Sequence, residues 1–283
     1  MQAFIPFSIL GAVTLAIAGC GGGDDDGDGR VGVGDTVVIT TDNQVRSFNR
    51  NNPDNVVGRQ SIQGLASGET LVGIDYRPAN RQLYALGNRG GIYTLDPATG
   101  RVAQVSTLRA AAGDDNPYTA LSGSQFGIDF NPVADRLRVV SDTGQNLRIN
   151  VDTGDTTTDG PLAQGNPGIT ATPAITAAAY TNSVAGATST TLYVADLSRG
   201  ALQVQNPPND GTLDTGVGLG VTGSAFNGFD IESTGTTGYL AVQSNVGVTL
   251  YRVSLTATNE AAQRVGLINT ADRIVGLALV QPN

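Results

Sequence analysis

One short pattern recurs along the chain at a spacing of about 50 residues, and that period restricts the fold more than any other property of the sequence. Gly73-Ile74-Asp75-Tyr76-Arg77-Pro78 parallels Gly127-Ile128-Asp129-Phe130-Asn131-Pro132. Each is followed by a short turn and a β-rich stretch, around Leu83 to Leu86 and Leu137 to Val140. A polar, glycine-bearing turn, a third β-rich stretch and a Thr-Gly turn complete the unit, at Thr99-Gly100 and Thr153-Gly154. Weaker copies begin at Ala177-Ala178-Ala179-Tyr180 and Gly228-Phe229-Asp230-Ile231. Near the C-terminus, Gly276-Leu277-Ala278-Leu279 is a fifth copy of the first strand with nothing after it. Near the start, Thr36 to Ile39 and Gln44 to Phe48 read as second and third strands with no first strand before them.

Split ends of this kind are economically explained by a ring. The expected fold is all-β, a five-bladed β-propeller of about four strands per blade over residues 35–283. The C-terminal strand pairs with the N-terminal blade to close it. A sandwich of similar strand count is the competing architecture, and the repeat with divided ends argues against it. Within the first strand, period 2 sends Ile74 and Tyr76 to one face, Gly73 and Asp75 to the other. Innermost strands crowd near the axis, and four of the five copies carry Gly at one position: Gly73, Gly127, Gly228 and Gly276.

The repeats, together with Gly127 to Pro132 and the longer run Arg136-Leu137-Arg138-Val139-Val140-Ser141 continuing to Asn150, resemble a bacterial family of unknown function, domain of unknown function 4394. The resemblance covers about Val37 to Val280. It implies an exported, propeller-like domain and supplies no catalytic residue.

The N-terminus reads as an export signal. Phe4 to Gly19 is almost wholly apolar and ends in Ile17-Ala18-Gly19-Cys20, which looks like a bacterial lipobox. Residues 1–19 are then a lipoprotein-type signal peptide and Cys20 the lipidation site, although Met1 to Ser8 carries no Arg or Lys. Gly21 rather than Asp after the cysteine implies the outer membrane in a cell with two membranes. Residues 20–34, rich in Gly and Asp, read as a flexible tether. Asp24, Asp26, Asp28 and Asp35 also echo a calcium loop, but such a loop needs flanking helices that this stretch does not provide.

Composition removes much chemistry. The 283 residues include no His, no Lys, no Trp and one Cys. Imidazole general bases and metal ligands, Schiff bases, phosphate-loop lysines and internal disulfides are therefore excluded. A net charge of −9 argues against nucleic acid as a partner. Contact with membrane is expected through the lipid anchor alone, and the chain is expected to be a monomer.

What remains is carboxylate, hydroxyl and arginine chemistry. Asp75, Asp129 and Asp230 occupy one repeat position and form a candidate ring near the axis. They either accept hydrogen bonds from neighbouring blades or bind a hard cation such as calcium. Placed in different blades, they are expected to respond independently to substitution. Arg109, Asp114, Asp115 and Tyr118 lie in a long loop, Arg109 to Ser124, as candidate binding residues; Pro161 to Thr176 is a second long loop. Glu69 with Asp114 and Asp115 is the carboxylate set an enzyme would draw on. Arg136, Arg138 and Arg148 lie in two strands expected to pair; Arg138 and Arg148 could meet an anion, but with Asp129, Asp135, Asp142 and Asp152 near in sequence, internal ion pairing is the expectation. The functional expectation is a non-catalytic binding or scaffolding module for an envelope protein or glycan. The alternative is a carboxylate-dependent carbohydrate-active enzyme, a glycosidase or lyase.

Overall fold

The structure is a computed structural model that describes residues 1, 29–165, 171–224 and 227–281. Cys20 and the rest of segment 2–28, read as signal and tether, lie outside the described residues. The described residues contain no α-helix, and so none long and apolar enough to cross a membrane.

Five sheets surround one axis. The first blade runs outward from Ile274–Leu279 through Thr36–Thr40 and Gln44–Asn49 to Asn52–Ser61. The second is Leu71–Tyr76, Leu83–Gly87, Gly91–Leu95 and Val102–Thr107. The third is Phe126–Asn131, Arg136–Ser141, Asn146–Ile149 and Asp155–Thr158. The fourth begins at Ala177–Tyr180 and continues through Leu192–Asp196 and Ala201–Val204 to the two-residue edge Val217–Gly218. The fifth is Asn227–Ile231, Thr237–Ser244, Gly247–Ser254 and Ala262–Ile268. The protein is thus an all-β, five-bladed propeller.

Closure is made as the split repeat requires. The C-terminal strand pairs antiparallel with Thr36–Thr40, Thr36 opposite Leu279 and Val38 opposite Leu277. On its other side Ile274–Leu279 lies between Asn227–Ile231 and Leu71–Tyr76, so the innermost strands abut one another around the full ring.

The core is five apolar seams, one per blade interface, rather than a single centre. Period 2 explains this. Val37 and Ile39 point toward the second blade and pack with Ile74, Tyr76 and Tyr93. Val38, between them, points toward the fifth and packs with Leu250 and Ile268. Likewise Val139 faces the seam with the second blade and Val140 the seam with the fourth. Because both faces of each blade are buried, the inner strands read as nearly continuous apolar runs instead of alternating ones. Near the axis the approach is closest. A Cβ on Gly127 would sit 2.6 Å from the main-chain carbon of Ala177 in the next blade, and one on Gly228 would collide with the Leu277 main chain.

Three local features differ from the sequence reading. Arg109–Ala110 is a short strand, not loop, and pairs in parallel with Asp155–Thr158 as a fifth strand on the third blade. That addition covers an outer edge that would otherwise expose unpaired main-chain groups. Within the second long loop, Ala163–Gln164 pairs in parallel with Thr212–Leu213. The stretch before Asp35, assigned to the tether, is held at its end: Arg30 pairs with Asp96 at 2.9 Å and the Val31 N–H donates to the Ala98 carbonyl at 2.9 Å.

Deletion of residues 274–283 removes the innermost strand of the first blade and exposes two seams at once. The expected outcome is an aggregating chain with no cooperative melt. A truncated chain that stays monomeric and melts within a few degrees of the full one would contradict closure by this strand.

Candidate functional site

The repeat-position aspartates meet at the axis. Asp75, Asp129 and Asp230 are 6%, 1% and 5% exposed, and each offers a carboxylate oxygen within 4.8 Å of the other two. Each also reaches across to the next blade. Asp75 Oδ2 accepts the Phe130 N–H at 2.7 Å, Asp129 Oδ1 the Tyr180 N–H at 3.0 Å, and Asp230 Oδ2 the Leu279 N–H at 2.7 Å.

Phe130, Tyr180 and Leu279 each follow the repeat position by one residue, as do Tyr76 and Ile231 in the other two blades. The blades preceding those two carry Ala278 and Ala179, which offer no carboxylate. There the aspartate of the same blade turns its second oxygen inward. Asp75 Oδ1 accepts the Tyr76 N–H at 2.7 Å and Asp230 Oδ1 the Ile231 N–H at 2.6 Å. Three carboxylates therefore satisfy five equivalent main-chain donors, one per blade. Among the described residues, main-chain N–H groups engage five of the six oxygens, and Asp129 Oδ2 is the remaining one.

Three acids this close in a buried site cannot all ionise cheaply. Burial, and then the charge of Asp230, push the Asp75 carboxyl well above the usual carboxylate range. Burial, then Asp75 and Asp230, do the same to Asp129. Burial lifts Asp230 to about 7, opposed by the N–H groups of Leu279 and Ile231. The expectation that substitutions here act independently is therefore corrected: the residues sit in different blades, but their carboxylates are neighbours and couple. Calcium asks for six to eight oxygens. A trio with a single oxygen outside main-chain hydrogen bonds suits shared protons better than that cation.

Above the trio the axis opens into a blind funnel of about 590 Å³, lined from four of the five blades. Asp75 and Asp230 line its buried end. On its wall Arg50 bridges Asp35 at 3.1 Å and Glu232 at 3.3 Å, and stacks over the Tyr239 ring at 5.2 Å. Two wall carboxylates, Asp35 and Glu232, face this one arginine, so the lining is anionic even where Asp75 and Asp230 hold protons. Below the trio, the crowded strands around Gly73, Gly127, Gly228 and Gly276 leave only about 10 Å³, roughly the space of one water.

The other sequence candidates lie elsewhere. Arg109 is on the outer rim and pairs with Asp155 at 2.8 Å. Asp114 accepts the Asn116 and Thr158 N–H groups at 3.1 and 2.8 Å, fixing its own loop. Asp115 is exposed beside it. Tyr118 is half-buried against the seam between the second and third blades, and burial raises its pKa. None of the four lines the funnel. Glu69 is buried within the second blade, accepting the Gly91 N–H at 2.8 Å and the Tyr93 hydroxyl at 2.5 Å. Arg50, Asp35 and Glu232 were missed from sequence. They stand outside the repeated segment; no motif marks Arg50 or Glu232, and Asp35 entered only as the last position of the calcium-loop echo.

Fold and site together define a closed five-bladed propeller with a buried cluster of three carboxyl groups beneath an acidic axial funnel. The family described as a domain of unknown function, DUF4394, matches residues 44–278, and the chain belongs to it. Among curated proteins none matches. Among solved structures, a chain of a nidogen/laminin complex is similar at 12% identity and a TM-score of 0.49, over 87% of this chain and 99% of that one. A protein of unknown function from Bacteroides thetaiotaomicron is similar at 15% identity and 0.43, over 87% and 61%. A protein from Lactobacillus plantarum is similar at 16% identity and 0.44, over 86% and 72%.

The raised carboxyl pKa values set a direction for pH dependence. Between about pH 4, where an unfolded aspartate titrates, and about 7, where folded Asp230 does, the folded state holds more protons. The contribution of this cluster to stability is thus fully present below that window and falls as pH rises through it. Asp129→Asn keeps the acceptor for Tyr180 and removes one charge, so its melting temperature should fall less between pH 5 and 8 than that of the wild type. Asp129→Ala strands the Tyr180 N–H and should cost about 1–3 kcal/mol at both ends. Identical pH slopes for wild type and Asp129→Asn would contradict the shared-proton account.

Proposed function

We propose that this chain is an exported propeller, anchored in the cell envelope through acylated Cys20, that binds a small cationic or hydroxyl-rich ligand in the axial funnel without transforming it. One observation carries the reading: a funnel of about 590 Å³ in which Asp35 and Glu232 on the wall and Asp75 and Asp230 at the buried end face a single cation, Arg50. That volume is within the range of roughly 300–1,000 Å³ typical of small-ligand sites. The wall carboxylates Asp35 and Glu232 suit amines and sugar hydroxyls, whereas the oxygens of Asp75 and Asp230 are already held by main-chain N–H groups.

The non-catalytic reading is supported over a carbohydrate-active enzyme by how the acids are used. A glycosidase needs a proton donor and a partner carboxylate across an accessible cleft, about 5 to 10 Å apart. Here the axial acids crowd within 4.8 Å, are almost fully buried, and hold main-chain N–H groups. Glu69 and Asp114 likewise serve their own blade and loop.

Two measurements test the proposal. Cys20→Ser should move the protein from the membrane to the soluble envelope fraction and stop fatty-acid labelling; unchanged fractionation would sink the anchor. For the ligand, the full chain is titrated with amino-sugar oligosaccharides, neutral oligosaccharides and spermidine. A hit should weaken at least tenfold in Glu232→Gln and should leave the oligosaccharide chemically intact. Binding indifferent to Glu232→Gln and Asp35→Asn would place the ligand elsewhere, and cleaved glycan would revive the enzyme.

A further inference from the structure

A second concave site lies at the top of the seam between the third and fourth blades, and its chemistry is opposite to that of the funnel. The cavity is about 120 Å³ and is lined by Arg136, Arg138, Arg148, Asn131, Tyr180 and Asn209, with Ala134 at its edge. Arg138 and Arg148 do pair internally, as the sequence suggested. Their partner, however, is Asp159, which both share: Arg138 at 2.6 Å and Arg148 at 3.1 Å. None of the aspartates nearer in sequence takes that place. The register explains the arrangement, since Arg138 stands directly opposite Arg148 in adjacent strands and the two side chains leave the sheet on one face.

Charge around the site does not cancel. Arg77 holds Asp135 and Asp152 at 2.6 and 2.7 Å, and Arg136 adds the positive charge that balances the second of these. Arg138 and Arg148 then face one carboxylate, Asp159, which leaves one positive charge over. Among the described residues Arg136 forms no ion pair with a carboxylate, although its charge acts on Asp152; its Nη1 donates to the Ala134 and Asp135 carbonyls at 3.4 and 2.9 Å.

The hydrogen bonds of the lining have the same polarity. Side-chain acceptors at the lining are occupied. Asn131 Oδ1 takes the Val133 and Ala134 N–H groups, Asn209 Oδ1 takes Arg138 Nη2 at 2.7 Å, and both Asp159 oxygens take arginines. Donors are left over. Arg148 Nη1, Arg136 Nε and Nη2, and the amide nitrogens of Asn131 and Asn209 make no hydrogen bond with the described residues. Tyr180, 1% exposed, meets Arg138 Nε at 3.4 Å as an acceptor, so its hydroxyl proton is also unused. A pocket that offers donors and excess positive charge, with its acceptors already engaged, is complementary to an anion.

We propose that this pocket binds a small oxyanion, a phosphate, sulfate or carboxylate group, either free or as the end group of a larger molecule. The size limits the occupant: about 120 Å³ is far below the roughly 300–1,000 Å³ of an ordinary small-molecule site. Arg136 and Arg148 supply the open forks, Tyr180 a hydroxyl donor, and Arg138, fixed by Asn146, Asp159 and Asn209, the preorganised charge at the base.

The test is isothermal titration of the full chain with inorganic phosphate, glycerol 3-phosphate and acetate, against sodium chloride at equal ionic strength. One saturable site is expected in the wild type for at least one of the three, weakened at least tenfold in Arg136→Gln and in Arg148→Gln. The tighter of inorganic phosphate and glycerol 3-phosphate identifies a free ion or an esterified end group. Asn209→Asp separates binding from folding. It keeps the acceptor for Arg138 and replaces a donor with a negative charge, so it should melt no lower than the wild type yet lose binding. Absence of a saturable site for all three anions, or binding that survives Asn209→Asp and Arg136→Gln alike, would overturn the proposal.

Discussion

The structure depends on how the innermost strands satisfy the main-chain donors they turn toward the axis. Buried N–H groups without acceptors are costly, and a ring of five blades presents five equivalent ones. Here the acceptors are side chains, and each of the three aspartates bonds the main chain of the next blade. These bonds stitch blade to blade at the point where the sheets themselves share no hydrogen-bonded ladder. Five aspartates would satisfy five donors but would crowd five carboxyls into one site. Three suffice because two of them use both oxygens, and Ala179 and Ala278 fill the vacated positions as apolar members of their seams.

The consequences run outward from the axis. Strands drawn together below the carboxylates need glycine, which is why the lower end is nearly closed while the upper end stays open as a funnel. Outside the axis no single core exists. Each blade is held by apolar residues on both faces, so stability is distributed over five interfaces, and removing one strand affects two of them. The same geometry gathers side chains from separate repeats at the top of the propeller. Acids collect over the axis and arginines over one seam, two sites of opposite character on one face.

Much of this was legible in the sequence. The period, the split ends and the Gly-x-Asp position specify the number of blades, the closing strand and the axial aspartates. How closely the three converge was not legible. Period and spacing place Asp75, Asp129 and Asp230 at one level, but whether they sit apart or within one coupled cluster is set by the radius of the ring. For the same reason the sequence does not show why Ala179 and Ala278 can replace aspartate: the donors of the blades that follow them are served by Asp230 and Asp75. The arginines were visible as a strand pair, but their shared partner Asp159 comes from a turn beyond the next strand. The loop candidates were chosen for length and polarity, which mark where chain is exposed and not what it surrounds. The funnel walls come from Asp35 and Arg50, joined by their own hairpin, and from Glu232 of the fifth blade, which only ring closure brings to them.

The central claim is that three carboxylates cap five axial N–H groups and so lock the ring. Residue-resolved amide hydrogen exchange tests it most directly. If the account is right, the amides of Tyr76, Phe130, Tyr180, Ile231 and Leu279 exchange together in the slowest class, at the rate of global unfolding. In Asp129→Ala the Tyr180 amide alone leaves that class. Exchange at these five amides as fast as in the outermost strands, or a Tyr180 amide indifferent to the loss of Asp129, would contradict it.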